Sequence, residues 1–189
     1  RISYGSYNTV ESSVSNRIQK GRFNSKIAVS YNRTDGQREN MNFEQLSGQA
    51  KLGYYLNKEW NVNTNLTLSR FNASNPGTIA IPLIDNDSRI TRGMSIFSVE
   101  NNYSQTSGAV KAYYNWGNHF INDGYPAGAQ PKDYRFHSRD NMSGVSLYQS
   151  ATLLPNNRIT VGVDYQHFGG NAWNKFMNNN QSSIVDTTL

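Results

Sequence analysis

Residues 43–72 contain two long runs in which apolar and polar residues alternate, and this pattern constrains the fold more than any other part of the chain. A period of two is typical of a β-strand with one apolar and one polar face. The apolar set consists of Leu46, Gly48, Ala50, Leu52, Tyr54 and Leu56 in the first run and Trp60, Val62, Thr64, Leu66 and Leu68 in the second. Only Asn57-Lys58-Glu59 separates the runs, and placing Leu56 opposite Trp60 brings both apolar sets to one side. The sequence therefore predicts a hairpin of defined register.

The length of the runs indicates which kind of sheet they form. Each alternates for at least ten residues, whereas strands of soluble proteins have about 5–6. Ten residues tilted near 45° rise roughly 23 Å, close to the apolar band of about 25 Å on an outer-membrane barrel. No apolar run exceeds three residues, which excludes a membrane helix of about 20. We expect an all-β fold, an antiparallel transmembrane β-barrel segment.

Similar alternation elsewhere predicts about eight strands, and the connections between them alternate in length. The remaining strands are expected at residues 2–19, 23–32, 93–104, 110–116, 145–153 and 159–166. Short turns are expected near Lys20, Lys58, Thr106 and Asn156, with Gln19 paired to Arg22. Longer loops are expected at 33–42, 73–92 and 117–138, and from Gly169 onward no period is clear. This is the organisation of barrels with short periplasmic turns and long extracellular loops.

Aromatic and charged residues support two different environments on the two faces. Phe23 and Trp60 are predicted near the periplasmic strand ends, and Tyr31, Tyr114, Trp116 and Tyr165 near the extracellular ends, as in an aromatic girdle. In any β protein, however, aromatic residues also fill strands. Five charged residues fall on the predicted inner face, where contact with water or a plug is expected: Glu11, Arg17, Lys26, Lys51 and Lys111.

Composition excludes several function classes. The chain has no cysteine, so disulfides and thiol chemistry are excluded. Its net charge of +5 is spread without a basic run, which argues against nucleic acid as a partner. No nucleophile–base pair, phosphate loop or paired-carboxylate motif is present. We expect no enzyme and no cofactor, and the start at Arg1 without a signal peptide indicates a processed chain or an internal fragment.

Several segments resemble the barrel of TonB-dependent outer-membrane receptors, especially those of Bacteroidetes. They are residues 31–36 (Tyr-Asn-Arg-Thr-Asp-Gly), 75–77 (Asn-Pro-Gly), 117–119 (Gly-Asn-His), 122–124 (Asn-Asp-Gly) and 157–165 (Asn-Arg-Ile-Thr-Val-Gly-Val-Asp-Tyr). The resemblance implies a plugged barrel of about 22 strands in the outer membrane of a Gram-negative bacterium. It implies active uptake of a siderophore, haem or cobalamin. The implied partners are outer-membrane lipid, the TonB energising complex, the plug domain of the parent chain and a surface lipoprotein.

Neither a plug domain nor a TonB-contacting segment is recognisable, so residues 1–189 are expected to form a partial barrel without its plug and closing strands. Two alternatives remain open. One is a complete small porin-like or adhesive barrel, whose first strand must pair with its last. The other is a soluble β-sandwich that binds carbohydrate through exposed aromatic residues.

Candidate binding residues were chosen because they lie in or beside the predicted outer loops. The expected ligand contacts are Asn75, Arg92, His119, Asp123, Tyr125 and Trp173. Asp85, Asp87 and Asp123 are calcium candidates, since calcium takes about 6–8 oxygen ligands, although loop Asp residues also stabilise turns. His119, His137 and His167 all fall near predicted extracellular ends and could bind haem iron or another metal, or simply be tolerated in a wet loop.

Overall fold

A computed structural model describes residues 1–178 and 182–188, and the side chains up to Ser183. These residues form twelve β-strands and contain no helix. The strands are β1 (Ile2–Gly5), β2 (Thr9–Lys20), β3 (Phe23–Thr34), β4 (Phe43–Tyr55), β5 (Trp60–Ala73), β6 (Leu83–Ile84), β7 (Asp87–Asn102), β8 (Thr106–Asn122), β9 (Tyr125–Pro126), β10 (Tyr134–Leu154), β11 (Asn157–Phe176) and β12 (Ser182–Thr188). Ten of them form one antiparallel sheet in chain order, and β6 pairs separately with β9. The predicted all-β antiparallel fold is confirmed.

The β4–β5 hairpin has the predicted register. Tyr54 lies opposite Val62, and the Leu56 N–H donates to the Trp60 carbonyl at 2.9 Å. The Asn57 side-chain oxygen accepts from the backbone N–H groups of Glu59 at 2.9 Å and Trp60 at 2.7 Å. Asn57 therefore closes the turn by a local side-chain hydrogen bond, a role for which Asn is favoured.

The register separates the sheet into an apolar face and a polar face, because residues opposite one another in an antiparallel pair share a face. The apolar face carries, among others, Val14, Ile27, Leu52, Leu66, Phe97, Val110, Leu147 and Val163. The polar face carries all five charged residues predicted to face inward, and Lys26 lies between Arg17 and Lys51.

The apolar face has no covering layer among the described residues. The only buried hydrophobic residue in the described part of the chain is Ala109, at 3% exposure, and it lies on the polar face. Leu66 is 43% exposed and Val163 is 65% exposed. A sheet normally buries its apolar face against a second layer, whereas the apolar face of this sheet is exposed in the described structure.

The apolar face forms a band that slopes across the strands. On β3 the band ends at Tyr31, before Arg33, and on β11 it ends at Tyr165, before His167. Tyr165 pairs with Val145 on β10, and the chain of paired residues continues across the sheet to Ser25 on β3, six strand-to-strand steps in all. Ser25 lies six residues before Tyr31, so the end of the band shifts by about one residue at each step. A shift of about one residue (about 3.3 Å) per strand spacing of about 4.8 Å corresponds to strands tilted about 35° from the normal of the band.

The sheet is not closed into a barrel. In the described residues β1 and β12 are its two edges, and β1 pairs with β2 over only four residues, from Ile2–Ser12 to Gly5–Thr9. The described residues include no helix with the length and apolar character needed to cross a membrane.

The prediction of a single strand at residues 2–19 is wrong. Residues 2–19 form β1 and β2, joined by a tight turn in which Tyr7 and Asn8 have φ of 57° and 55°. Asn adopts this left-handed conformation readily, but Tyr does not, so no strong turn signal is present in the sequence. The turn between β2 and β3 is also shifted, because Lys20 pairs with Phe23 rather than Gln19 with Arg22. A shift of two residues leaves the faces unchanged.

The strands are longer and more numerous than predicted. Ten strands rather than eight form the main sheet, and β10 and β11 contain 21 and 20 residues. Residues 87–92, 117–122, 134–138 and 169–176 were predicted as loops but belong to strands. Backbone pairing continues there although neither face is consistently apolar, so the apolar period that identified the strands is absent.

Apart from the β1–β2 turn, short and long connections lie at opposite edges of the sheet. The connections at residues 21–22, 56–59, 103–105 and 155–156 form the turn edge. Those at 35–42, 74–86 and 123–133 form the loop edge, which also contains the short β1–β2 turn. The Asn8 side chain donates to Asp35 at 3.1 Å and so joins this turn to the first long loop.

Candidate functional site

The two longest connections at the loop edge are held together. The β6–β9 pairing places Leu83 opposite Pro126 and Ile84 opposite Tyr125. Asn86 links the same loops, since its oxygen accepts from the Asn75 N–H and its amide donates to the Asp123 carbonyl, both at 2.8 Å. Three predicted ligand residues, Asn75, Asp123 and Tyr125, therefore stabilise the loop edge.

Each calcium candidate lies beside a cation. Asp123 accepts from Lys132 at 2.5 Å, and this hydrogen bond raises the pKa of Lys132. Asp87 pairs with Arg89 at 2.7 Å and Asp85 with Arg135 at 3.3 Å. Within residues 1–178 and 182–188, no three His, Asp or Glu side chains are grouped as metal ligands.

Arg92, His119, Ser138 and Asp140 form a polar-face network across β7, β8 and β10. Arg92 donates to Asp140 Oδ2 at 2.6 Å through Nη2 and to His119 Nε2 at 3.1 Å through Nη1. Nδ1 of His119 lies 2.9 Å from Ser138 Oγ, and Nε2 lies 3.6 Å from Asp140 Oδ1. Two predicted ligand residues, Arg92 and His119, are thus brought together.

Gly117 makes room for this network. It lies between Arg92 on β7 and Asp140 on β10 in the sheet register. A Cβ at this position would lie 2.6 Å from Asp140 Oδ1, 3.1 Å from His119 Nε2 and 3.2 Å from Arg92 Cζ. Any larger residue would displace the charged groups.

The proton positions in the network do not suit nucleophilic catalysis. A guanidinium only donates hydrogen bonds, so Nε2 of His119 accepts from Arg92. The Nδ1–H then donates to Ser138 Oγ, and the imidazole cannot take a proton from that hydroxyl. A nucleophilic serine needs the opposite arrangement, with a base that accepts its proton. The network therefore suits recognition of a polar group.

An open cleft of about 750 Å³ lies beside the network on the polar face. Its apolar part is formed by side chains that sequence reasoning missed, and its polar part includes Arg92, whose side chain is 52% exposed. The side chains of the cleft that point from the polar face are Thr67, Ser69, Arg92, Met94, Asn115, Ser138, Asp140, Met142, Phe168 and Ala172. An apolar surface with a few convergent polar groups suits a small molecule of mixed polarity.

Aromatic rings and cations form a second group at the loop edge, on the other face. The His137 ring stacks on Trp173 with centroids 5.4 Å apart and meets Phe120 edge-on at 5.3 Å. The Arg89 guanidinium lies 5.1 Å from the Phe120 centroid, and that of Arg139 lies 5.6 Å from the Trp173 centroid. We call these five residues the loop-edge aromatic row.

The row corrects the predicted position of Trp173, which lies in β11 rather than in a loop. It also separates the histidines. Trp173 lies opposite His137 on the side of the apolar face, and His167 shares that side, whereas His119 lies on the polar face. The three histidines therefore do not form a common metal or haem site.

Aromatic residues lie near both limits of the apolar band. At the turn edge, Trp60 Nε1 donates to the Tyr103 hydroxyl at 2.7 Å, with the rings edge-on and centroids 6.5 Å apart. Tyr114, Trp116 and Tyr165 were predicted at extracellular strand ends, but β8 and β11 continue to Asn122 and Phe176. These three aromatic residues lie in the part of the band nearest the loop edge, and the strands extend beyond the band toward that edge.

The missed members of the site carried a weak signal in the sequence. Ser138, Asp140 and Met142 alternate as one face of a strand, but Ser138 fell at the end of the predicted loop 117–138 and Asp140 in the unassigned residues before the strand predicted from Val145. Phe168 likewise lies just before the stretch that lacked a clear period.

Comparison with protein-family models and with curated proteins found no match to this chain.

Proposed function

We propose that this chain forms part of the wall of an outer-membrane β-barrel, with lipid against the apolar face and the polar face toward the interior. The observation that carries this proposal is the exposed, sloping apolar band. Its slope of about one residue per strand agrees with strand tilts of about 35–45° in such barrels. On β3 the band spans Phe23 to Tyr31, and aromatic residues lie near its limits.

The same geometry suits the separation of connections into short turns and long loops. In outer-membrane barrels the short turns face the periplasm and the longer loops face outward. By this orientation the loop edge and the cleft beside Arg92 lie toward the outside of the cell. A ligand from outside would then meet the loop edge before the polar-face network.

The barrel belongs, in this proposal, to a TonB-dependent receptor that takes up a scarce ligand of the siderophore, haem or cobalamin class. The support is the resemblance of residues 31–36, 75–77, 117–119, 122–124 and 157–165 to such receptors, together with the cleft of mixed polarity. Beside the cleft, His119 donates to Ser138 rather than accepting its proton, which suits a site that binds without reaction. The plug domain and the TonB complex act through the parent protein.

Uptake by cells tests the proposed function. A strain lacking the parent gene is compared with strains complemented by the natural gene or by its Arg92→Gln variant, using labelled siderophore, haem and cobalamin. We expect the deletion to abolish uptake of one ligand class and Arg92→Gln to weaken it, with Lys26→Gln, also on the polar face, as the control. Unchanged uptake of all three classes, or a parent reading frame without a plug domain, contradicts the assignment to active uptake.

A solubility test addresses the barrel wall separately. We expect the chain to require detergent or lipid, because its apolar face is uncovered. A monodisperse monomer in detergent-free buffer contradicts the membrane proposal and favours a soluble carbohydrate-binding protein.

A further inference from the structure

We propose that three cations on the polar face, Arg17, Lys26 and Lys51, bind a small anion that carries two linked phosphate groups. We call them the triple-cation row, because they lie directly opposite one another on β2, β3 and β4, three to four residues from the strand ends at the turn edge. The inference goes beyond the proposed function and holds whichever medium covers the apolar face.

The chain itself does not neutralise the triple-cation row. Among the side chains that the structure describes, none of the three cations makes an ion pair. On the strands of the polar face, the nearest acidic residues are Glu11 and Glu100, about 20 Å and about 16 Å away by the sheet register. Both distances exceed the screening length of about 8 Å at physiological salt. Like charges directly opposite one another destabilise a sheet, so a bound anion would relieve a repulsion that the chain leaves in place.

An open cavity of about 240 Å³ lies at the triple-cation row. Its lining also includes Gln19, Asn24 and Tyr55, which share the polar face with the three cations. This volume is smaller than the roughly 300–1,000 Å³ of pockets for drug-sized ligands. The cavity therefore suits a small ion rather than a bulky organic molecule.

The groups of the cavity match the charge and the oxygens of a diphosphate. A phosphate group carries about 1.5 to 2 negative charges at pH 7, so two linked groups balance the three cations, whereas a single group leaves about one of them unpaired. The Arg17 guanidinium suits bidentate contact with phosphate oxygens, and each lysine ammonium adds a compact point charge. The amides of Gln19 and Asn24 and the Tyr55 hydroxyl supply neutral donors for the remaining oxygens.

The triple-cation row is separate from the cleft beside Arg92. By the sheet register Lys26 lies three strands and four residues from Arg92, a distance of about 20 Å. A substitution of Lys26 therefore leaves the cleft intact. The anion site is a second site on the polar face, nearer the turn edge.

Titration calorimetry of the full 189-residue chain in nonionic detergent micelles with inorganic pyrophosphate tests this inference. We expect single-site binding that weakens as salt is added. Lys26→Gln/Lys51→Gln is expected to bind at least about tenfold more weakly, because two of the three charges around the anion are lost. Lys20→Gln/Lys58→Gln removes the same charge from the turn edge outside the row, and we expect it to change the affinity by less than about twofold.

Unfolding measurements separate loss of binding from loss of folding. A ligand that binds only the folded chain stabilises it, so pyrophosphate is expected to raise the denaturant midpoint of the natural chain and to leave that of Lys26→Gln/Lys51→Gln unchanged. Without pyrophosphate, this double variant is expected to be at least as stable as the natural chain, because the repulsion within the row is reduced.

Comparison of anions identifies the recognised group. We expect orthophosphate to bind at least about tenfold more weakly than pyrophosphate. Adenosine diphosphate should bind no more tightly than pyrophosphate, because the cavity is too small for the nucleoside, and tighter binding overturns the assignment to a small anion. Equal binding by Lys26→Gln/Lys51→Gln and the natural chain overturns the inference, as does an equal loss in the two double variants or equal binding of orthophosphate. None of these measurements involves membrane insertion or uptake, so such a failure leaves the proposed function standing.

Discussion

With the proposed lipid contact of the apolar face, replacing Leu52 by Arg is expected to destabilise the sheet in a membrane far more than replacing Gln49 by Arg. Leu52 lies near the middle of the apolar set of β4, which runs from Leu46 to Leu56, and its exposed fraction is 36%. Gln49 is three residues away on the polar face and is exposed. The two variants therefore add the same charge to the same strand, on opposite faces.

The position of Leu52 determines the magnitude. It lies six residues from Leu46 and four from Leu56, or about 16 Å and 11 Å along the band normal at a tilt near 35°. An Arg side chain cannot bring its charge to either interface over these distances without deforming the membrane. Arg near the bilayer midplane of a barrel costs about 2–4 kcal/mol. The arginine of the Gln49→Arg variant would face a wet interior, where we expect a cost of less than about 1 kcal/mol.

Reversible denaturant unfolding in phosphatidylcholine vesicles, followed by tryptophan fluorescence, measures both free energies. A loss of about 2–4 kcal/mol for Leu52→Arg, with little change for Gln49→Arg, agrees with the assigned faces. Equal losses refute them. An increase in stability or solubility for Leu52→Arg in detergent-free buffer refutes the lipid-facing role, because an apolar face in water benefits from added charge.

Three further outcomes follow from individual contacts. Gly117→Val is expected to disrupt the polar-face network by steric overlap. In titrations with siderophore, haem and cobalamin it should bind more weakly whichever of these the natural chain binds, while circular dichroism stays unchanged. Hydrogen bonds, first from Asn8 and then from Arg33, lower the pKa of Asp35 below its ordinary value. The stability that ionised Asp35 contributes is therefore present above the pKa of the unfolded state and is lost as the pH falls through the pKa of the folded state. In acid unfolding Asn8→Ala should reduce this pH dependence, and an unchanged profile contradicts the prediction. Trp60→Phe removes the hydrogen bond to Tyr103 and is expected to cost about 1 kcal/mol or less in the same vesicle assay, with a larger loss indicating a different role for the indole.

The predictable parts of the fold are those in which apolar and polar residues alternate along the chain. Leu56 and Trp60 identified the β4–β5 hairpin because an apolar residue followed every polar one up to a turn rich in polar residues. The β7–β8 pair was predicted only as the ranges 93–104 and 110–116, and the register places Phe97 and Val110 on the same face as the apolar set of the hairpin. An alternation with a period of two identifies a strand and the orientation of its side chains wherever one face of the sheet is apolar and the other is polar.

Beyond the apolar band the same signal disappears. Residues 134–141 and 169–176 remain in the sheet through backbone hydrogen bonds, but neither of their faces is consistently apolar, so the sequence does not distinguish them from loops. This explains why Trp173 was predicted in a loop and why Asp140 and Ser138 were missed. Arg92 and His119 were chosen for their nearness to loops, but their contact depends on the register of β7, β8 and β10, which no local pattern encodes.

The β1–β2 turn shows a different limit. Val10 and Val14 lie at even-numbered positions like Ile2 and Tyr4, so the apolar residues have the same parity on both sides of the turn. Tyr7 adopts a positive φ that its residue type does not favour. Contacts from Asn8 to Asp35 on the next loop help to hold this turn, and such contacts are not visible in a local pattern.

The most direct test of the proposed lipid contact uses the three tryptophans, all of which lie on the side of the apolar face. Trp60 and Trp116 lie near the two limits of the band, and Trp173 lies about 20 Å beyond it. Variants that retain one tryptophan each are placed in vesicles whose lipids carry bromine at shallow or deep acyl positions. We predict that shallow bromines quench Trp60 and Trp116 strongly and leave Trp173 unquenched but open to aqueous iodide. Quenching of all three by iodide alone, with none by brominated lipid, contradicts the account.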